Sequence, residues 1–255
     1  MEKATALEDG TILAFCLRND ANAHGFCEPW FTPTVIRSFD EGKTWTEPVE
    51  CIPYRGRIYD VRYHKGVIYV LIFCNEQHKG TAPEHLYRIY KSEDKGESFQ
   101  ELAVVPFDTM GRAYGAMIFD REDVLHVYAY NYDAEYDMDH AISRDLGKTW
   151  ECLEPCHLPY GIRNPQIGCV DGIYILQGRA GDSAGFALYA SQDATDWGKG
   201  IMVETRIKSY GSYYSNNLPL HDEKGAFLLI QYSEIYEPWA KVNVKHMKLR
   251  VLPKK

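Results

Sequence analysis

The phrase SFDEGKTW at residues 38–45 returns as SEDKGESF at 92–99 and as SRDLGKTW at 143–150, and a worn fourth copy begins at Ser191. The shared skeleton is Ser-x-Asp-x-Gly-x-Thr-Trp. It suits a tight turn. Asp40, Asp94 and Asp145 can accept hydrogen bonds from the turn's own N–H groups, and Gly42, Gly96 and Gly147 allow a positive φ that other residues resist. Trp45 and Trp150, with Phe99 in the same role, are expected to bury a large aromatic surface beneath the turn. The phrase therefore reads as a folding device rather than a catalytic one.

The copies start at residues 38, 92, 143 and 191, spacings of 54, 51 and 48. A repeat of about 40–50 residues with β-type flanks is what the four-stranded blades of a propeller produce. A hairpin of constant pattern also recurs, as EDGTILAFC (8–16), HKGVIYVLIFC (64–74), REDVLHVYAY (121–130), VDGIYILQGR (170–179) and EKGAFLLIQY (223–232). Four of these five turn on Asp-Gly or Lys-Gly, and the strand that follows is rich in Ile, Val, Leu and Tyr. The spacing predicts an all-β propeller occupying 1–255 as a single domain, with five visible blades and room for a sixth. Residues 242–252 read as the third strand of the fifth blade.

Lys and Arg number 28 against 36 Asp and Glu, a formal charge of −8. No basic stripe interrupts that balance, which argues against nucleic acid and anionic membranes as partners. No segment approaches 18 consecutive apolar residues, and the N-terminus has no apolar core with a cleavage site. The expectation is a soluble, cytoplasmic chain without membrane insertion, or a secreted one if an export signal has been removed. Seven cysteines, an odd number without a Cys-x-x-Cys pair, are expected to be small buried hydrophobes rather than a disulfide frame or a zinc site. Neither metal nor cofactor is called for, and nothing predicts an oligomeric state.

Antiparallel strand order puts the phrase at one end of each blade. The starts of the first strands and the ends of the second strands then meet at the opposite end, the default place for a pocket. Those positions carry Arg18 and Asp20, then Tyr59 and Asp60, then Arg112, Tyr114 and Tyr130. They continue with Arg163, Asn164 and Arg179, then Tyr213, Tyr214, Asn216 and Glu234. Arginines, carboxylates and tyrosines around one funnel suit an anionic or polyhydroxy ligand, a glycan above all. The irregular stretch 16–33 reads as a lid over that end, and the acidic stretch 131–140 as a solvated face.

The repeated phrase resembles the Asp box, or bacterial neuraminidase (BNR) repeat, of the sialidase superfamily of β-propellers. The resemblance implies a carbohydrate-active protein, a glycoside hydrolase of exo-sialidase type, although a shared fold does not by itself fix an activity. The stretch SYYSNNLPLHDEKG (212–225) is similar to the segment that carries the sialidase nucleophile. That similarity places Tyr214 in the role, with Tyr213 as the register alternative. NPQIGCVDGIYILQGR (164–179) is similar to the segment carrying the catalytic glutamate and a carboxylate-binding arginine. It puts Asn164 where the glutamate stands and makes Arg179 the arginine. Asp20 falls in the place of the acid/base, and Arg18 or Arg163 can stand in for arginines missing elsewhere. The substrate-binding set implied is Arg179, Arg163, Asn164, Arg18, Asp60, Arg112 and Tyr114. Two alternatives stay open: a non-catalytic glycan- or protein-binding Asp-box propeller, and a hydrolase like the five-bladed furanosidases, whose Arg-Asp-Pro segment is similar to GIRNPQ (161–166).

Overall fold

Strand-forming residues alternate with Gly- and Asp-rich turns along the chain, and a computed structural model shows the result for residues 3–18, 31–74, 86–109, 111–181, 185–205, 213–237 and 241–252. The fold is all-β, five small antiparallel sheets forming the blades of a five-bladed β-propeller, with no α-helix among the described residues. The first sheet orders β1 (Lys3–Ala6), β2 (Ile12–Cys16), β3 (Thr34–Ser38) and β4 (Val49–Glu50). The second orders β5 (Arg57–His64), β6 (Val67–Cys74), β7 (Leu86–Ser92) and β8 (Gln100–Val104). The third has β9 (Arg112–Phe119), β10 (Leu125–Asn131), β11 (Asp137–Ser143) and β12 (Glu151–Cys152), with β13 (Cys156–His157) also paired to β11. The fourth orders β14 (Arg163–Val170), β15 (Ile173–Arg179), β16 (Phe186–Ser191) and β17 (Ile201–Glu204). The fifth has, among the described residues, three strands, β18 (Ser215–Asp222), β19 (Gly225–Glu237) and β20 (Lys241–Leu249).

The chain divides into two compact units, one of Met1–Phe119, Asp123–Val127 and Ala141–Cys152, the other of Asp120–Glu122, Tyr128–His140 and Leu153–Lys255. In the first, β1 packs on β5 and β5 on β9, so successive first strands stack on one another. Its core joins Leu13, Phe15 and Val35 of the first sheet to Ile58, Ile68, Val70 and Ile72 of the second, all nearly inaccessible to water. In the second unit β14 packs on β18, and Ile175, Phe186 and Leu188 meet Leu228, Ile230 and Tyr232. Each such side chain contributes about 1.5–3 kcal/mol through burial. β10, LHVYAYN, is buried along its whole length, its polar His126 and Asn131 included.

The hairpins turn as their sequences demand. Lys65-Gly66 and Asp171-Gly172 both hold two successive positive φ values, 49° with 84° and 48° with 74°, as the twist of a two-residue loop requires.

Each repeat of the eight-residue phrase joins the third strand of its sheet to the fourth, as the spacing predicts. In the first copy Asp40 accepts from Ser38 Oγ at 2.8 Å, from the Thr44 N–H at 2.8 Å and from Thr44 Oγ1 at 2.7 Å, while Ser38 Oγ accepts from the Gly42 N–H. The second and third copies repeat this pattern through Asp94 and Asp145. The fourth is one residue shorter and lacks the glycine. Asp193 there accepts from the N–H groups of Thr195 and Asp196. Gly96 needs more than its φ of 83°, since an added Cβ would lie 2.2 Å from Leu13 Cδ2.

Two expectations are corrected. Trp45 is 42% exposed rather than buried; its indole N–H donates to the carbonyl of Gly42 at 3.0 Å and holds the ring against its own turn, as the half-buried Trp150 does at Gly147. Among the described cysteines, all free, only Cys156 is buried; Cys16, Cys51 and Cys169 are half-buried and Cys152 is exposed. Most sit at strand ends or in connections, where the sheets cover only one side.

Candidate functional site

Opposite the phrase, each unit carries its own polar cluster. In the first unit β5 bulges between Ile58 and Asp60. The Asp60 carboxylate turns inward, accepting from Arg62 at 2.8 Å and from the backbone N–H of Met117 in β9 at 2.9 Å. It thereby clasps two neighbouring sheets. Tyr114 holds a φ of 46°, sets its ring edge-on to Tyr59 at 5.6 Å and accepts the Tyr87 hydroxyl on its carbonyl. The half-buried Arg112 opens β9, its N–H donating to the Thr109 carbonyl. Arg18 reaches the outermost strand of its sheet, where it binds Glu50 at 2.6 Å and Thr32 at 3.1 Å. Asp20 and most of the 16–33 stretch lie outside the described residues.

The second unit gathers more of the expected set. Arg163 and Arg179 are direct strand partners across β14 and β15. A bulge follows Arg163, and Asn164 takes a φ of 53°, a conformation that asparagine tolerates better than most residues. Gly178 makes the bulge fit, because a Cβ there would stand 2.7 Å from the Arg163 carbonyl.

The two arginines have different fates. Arg163 forms an ion pair with Glu135, donates to the Tyr130 hydroxyl at 2.7 Å, and lies 5.4 and 5.8 Å from the ring centres of Tyr130 and Tyr132. Tyr130 in turn donates to Glu135 at 2.5 Å. Burial, and then the Glu135 acceptor, hold its phenol well above the usual range. Arg179 is only 6% exposed. Its guanidinium lies 5.3 Å from the Tyr214 ring centre, yet its buried Nε has no hydrogen-bond partner, and no carboxylate among the described residues pairs with it. Leaving such a charge uncompensated is costly unless an anion arrives.

The neighbouring Tyr213 is buried and holds a φ of 64°, an outlier for a bulky residue that costs on the order of 1–3 kcal/mol. Nearby, Lys245 bridges Glu204 at 2.6 Å and Glu234 at 3.2 Å, and the Tyr232 hydroxyl donates to Glu204 at 3.1 Å. Burial and this carboxylate push the Tyr232 phenol up to about 12. Among the described residues, no group of three His, Cys, Asp or Glu is placed to hold a metal ion.

Sequence reasoning brought Arg179 and Tyr214 to one place, and the structure sets them side by side. It missed Glu135 and Tyr132. The expected solvated acidic face is in part an internal counter-ion, since the Glu135 side chain is only 15% exposed. The spacing of Tyr130 and Tyr132, two residues apart at a strand end, was the available signal for a shared face.

The fold is a five-bladed β-propeller. No known protein family's profile matches the chain, and no curated protein matches it. Among solved structures it is similar to a protein of unknown function from Dyadobacter fermentans, with a TM-score of 0.73 and 17% identity over 98% of this chain and 75% of that one. It is similar as well to the Hadza microbial sialidase Hz136, with a TM-score of 0.67 and 15% identity over 96% of this chain and 55% of that one. For the Trypanosoma rangeli sialidase the TM-score is 0.65 and the identity 14%, over 95% of this chain and 46% of that one. The chain thus spans about half the length of these sialidases.

Proposed function

We propose that this chain is a carbohydrate-active, sialidase-like propeller that takes an acidic glycan, with its carboxylate on Arg179 and its terminal sugar against Tyr214. The repeated phrases are Asp boxes in this reading. The observation that carries it is the buried Arg179 guanidinium, uncompensated among the described residues and roofed by a tyrosine that is 39% exposed. A ligand carboxylate would supply charge-assisted hydrogen bonds in a fixed fork geometry. The Trypanosoma rangeli sialidase has been solved with 2-keto-3-deoxy-D-glycero-D-galacto-2,3-difluoro-nononic acid, a ligand of this chemical class. Hydrolysis would then use Tyr214 as the nucleophile, a neutral group that the substrate carboxylate does not repel.

One observation favours a second reading, glycan binding without turnover. Asn164 cannot take a proton from Tyr214, and no carboxylate among the described residues hydrogen-bonds the Tyr214 hydroxyl.

Calorimetry with an aryl sialoside, paired with a release assay, separates the two. Arg179→Ala is expected to weaken binding by roughly 10- to 100-fold, the value of one to two charge-assisted bonds. Tyr214→Phe abolishes turnover and spares binding if the chain is an enzyme, whereas wild type binds without turnover if it is not. Binding indifferent to Arg179 would overturn both readings.

A further inference from the structure

Among the described residues the fifth sheet is covered on one face only. In β15, the middle strand of the fourth sheet, every residue after Ile173 is buried. β19, the middle strand of the fifth, alternates instead: Leu228, Ile230 and Tyr232 are buried against the fourth sheet, while Gln231 is exposed and Leu229 and Ser233 are half-buried. The register sets Leu218 of β18 beside Leu229, and Val244 of β20 beside Ser233, so these side chains share the open face. Leu218, Val242 and Val244 are each more than half exposed. Apolar side chains gathered on one face mark a contact surface, unlike those scattered singly.

Size, charge and pattern say what fits there. Three strands about 4.8 Å apart and about 30 Å long give the face a footprint of about 400 Å², and its corrugated accessible surface is of the order of the roughly 800 Å² that each partner gives a standard interface. The chain carries a formal charge of −8, yet the Asp222 carboxylate on this face is tied to Arg250 at 2.6 Å and to Lys248 at 3.4 Å. Two copies therefore meet less repulsion here than across an acidic surface. Asn216, Gln231 and His246 are strand partners in one row across the middle, with the leucines on one side of it and the valines on the other. A twofold axis along that row lays the leucine half of one copy over the valine half of the other. It also sets Gln231 against itself, an amide that both donates and accepts.

We infer that the open face of the fifth sheet is the interface of a twofold dimer, its occupant being the same face of a second copy of this chain. Such a contact closes on itself, so association stops at two. The inference is independent of what Arg179 binds.

The test is sedimentation velocity over about two decades of protein concentration. A reversible passage from monomer to dimer is expected, with nothing larger. Val244→Glu and, on another strand, Leu218→Glu should each raise the dimer Kd by roughly 100-fold or more, because the twofold axis buries every new charge twice. Both side chains are exposed, so each variant should keep the circular dichroism of the parent. Val49→Glu, at an equally exposed valine in the first sheet, should leave the Kd unchanged. A monomer at every concentration, a ladder of larger species, or a dimer indifferent to both face substitutions would overturn the proposal. Equal weakening by Val49→Glu would overturn it too, since the contact would then not be specific to the fifth sheet.

Discussion

At the phrase end of the first three sheets, Asp40, Asp94 and Asp145 each find a serine hydroxyl, a backbone N–H and a second hydroxyl within eight residues of chain. At the other end of the fourth and fifth sheets, Arg179 is buried without a counter-charge among the described residues, and Tyr213 and Asn164 hold left-handed backbone. One end settles its polar groups internally and confines its left-handed φ values to tight turns, at Glu41–Gly42, Lys95–Gly96 and Leu146–Gly147. The other keeps charge uncompensated and holds left-handed φ at a buried tyrosine, Tyr213, and at Asn164 beside a bulge. The contrast teaches where to look in a repeated fold: stability is concentrated where the sequence repeats, and recognition where it stops repeating.

The sharpest way to break this comparison is Gly96→Ala. A φ of 83° together with Leu13 Cδ2 at 2.2 Å from the new Cβ should cost roughly 2–4 kcal/mol in urea unfolding, with glycan affinity per folded molecule unchanged. A loss below about 0.5 kcal/mol would deny the phrase end its structural role.

Arg179→Met tests the opposite end. Removing an uncompensated charge should leave stability unchanged or raise it by up to about 1 kcal/mol, even as acidic-glycan affinity falls. A Tm lowered by several degrees would place Arg179 among the residues that stitch sheets together.

The smallest effect is electrostatic. The side-chain and backbone hydrogen bonds of Ser98 hold the Asp94 carboxyl at about 2, and those of Thr149 do the same for Asp145, both below the ordinary 3.8. Folded values below the unfolded one mean that this stabilisation is complete above about pH 4 and is lost as pH falls through about 2. Tm followed from pH 5 to pH 2 should drop in that window. The drop should be shallower in Asp94→Asn/Asp145→Asn, although exposure to solvent keeps the difference modest.

The blades were legible because their signals are local: an aspartate, a glycine and an alternating strand within about fifteen residues specify each corner. Arg179 and Tyr214 were legible because strand parity fixes which end of a hairpin they occupy. Glu135 was not, since its partner Arg163 lies 28 residues onward and nothing in NYDAEYDMDH distinguishes an inward carboxylate from an outward one. The left-handed φ of Tyr213 was equally invisible. Tyrosine avoids that region; packing against Phe186 and Tyr232 and the bond from its N–H to the Ser233 carbonyl hold it there. Trp45 misled because a buried and a folded-over indole share the same letters.

The three-strand fifth sheet ends on β20, whose sequence KVNVKHMKL leaves Val242 and Val244 more than half exposed. A strand whose outer edge has no partner among the described residues is a template on which further chains can polymerise. Its composition blunts the hazard, for it carries three lysines and a histidine and no acidic residue. A second molecule adding itself antiparallel in the register that sets Lys245 opposite its own copy would oppose two like charges, which repel across a ladder. The same nine residues that offer an opening for aggregation thus discourage the chain's own copies from using it.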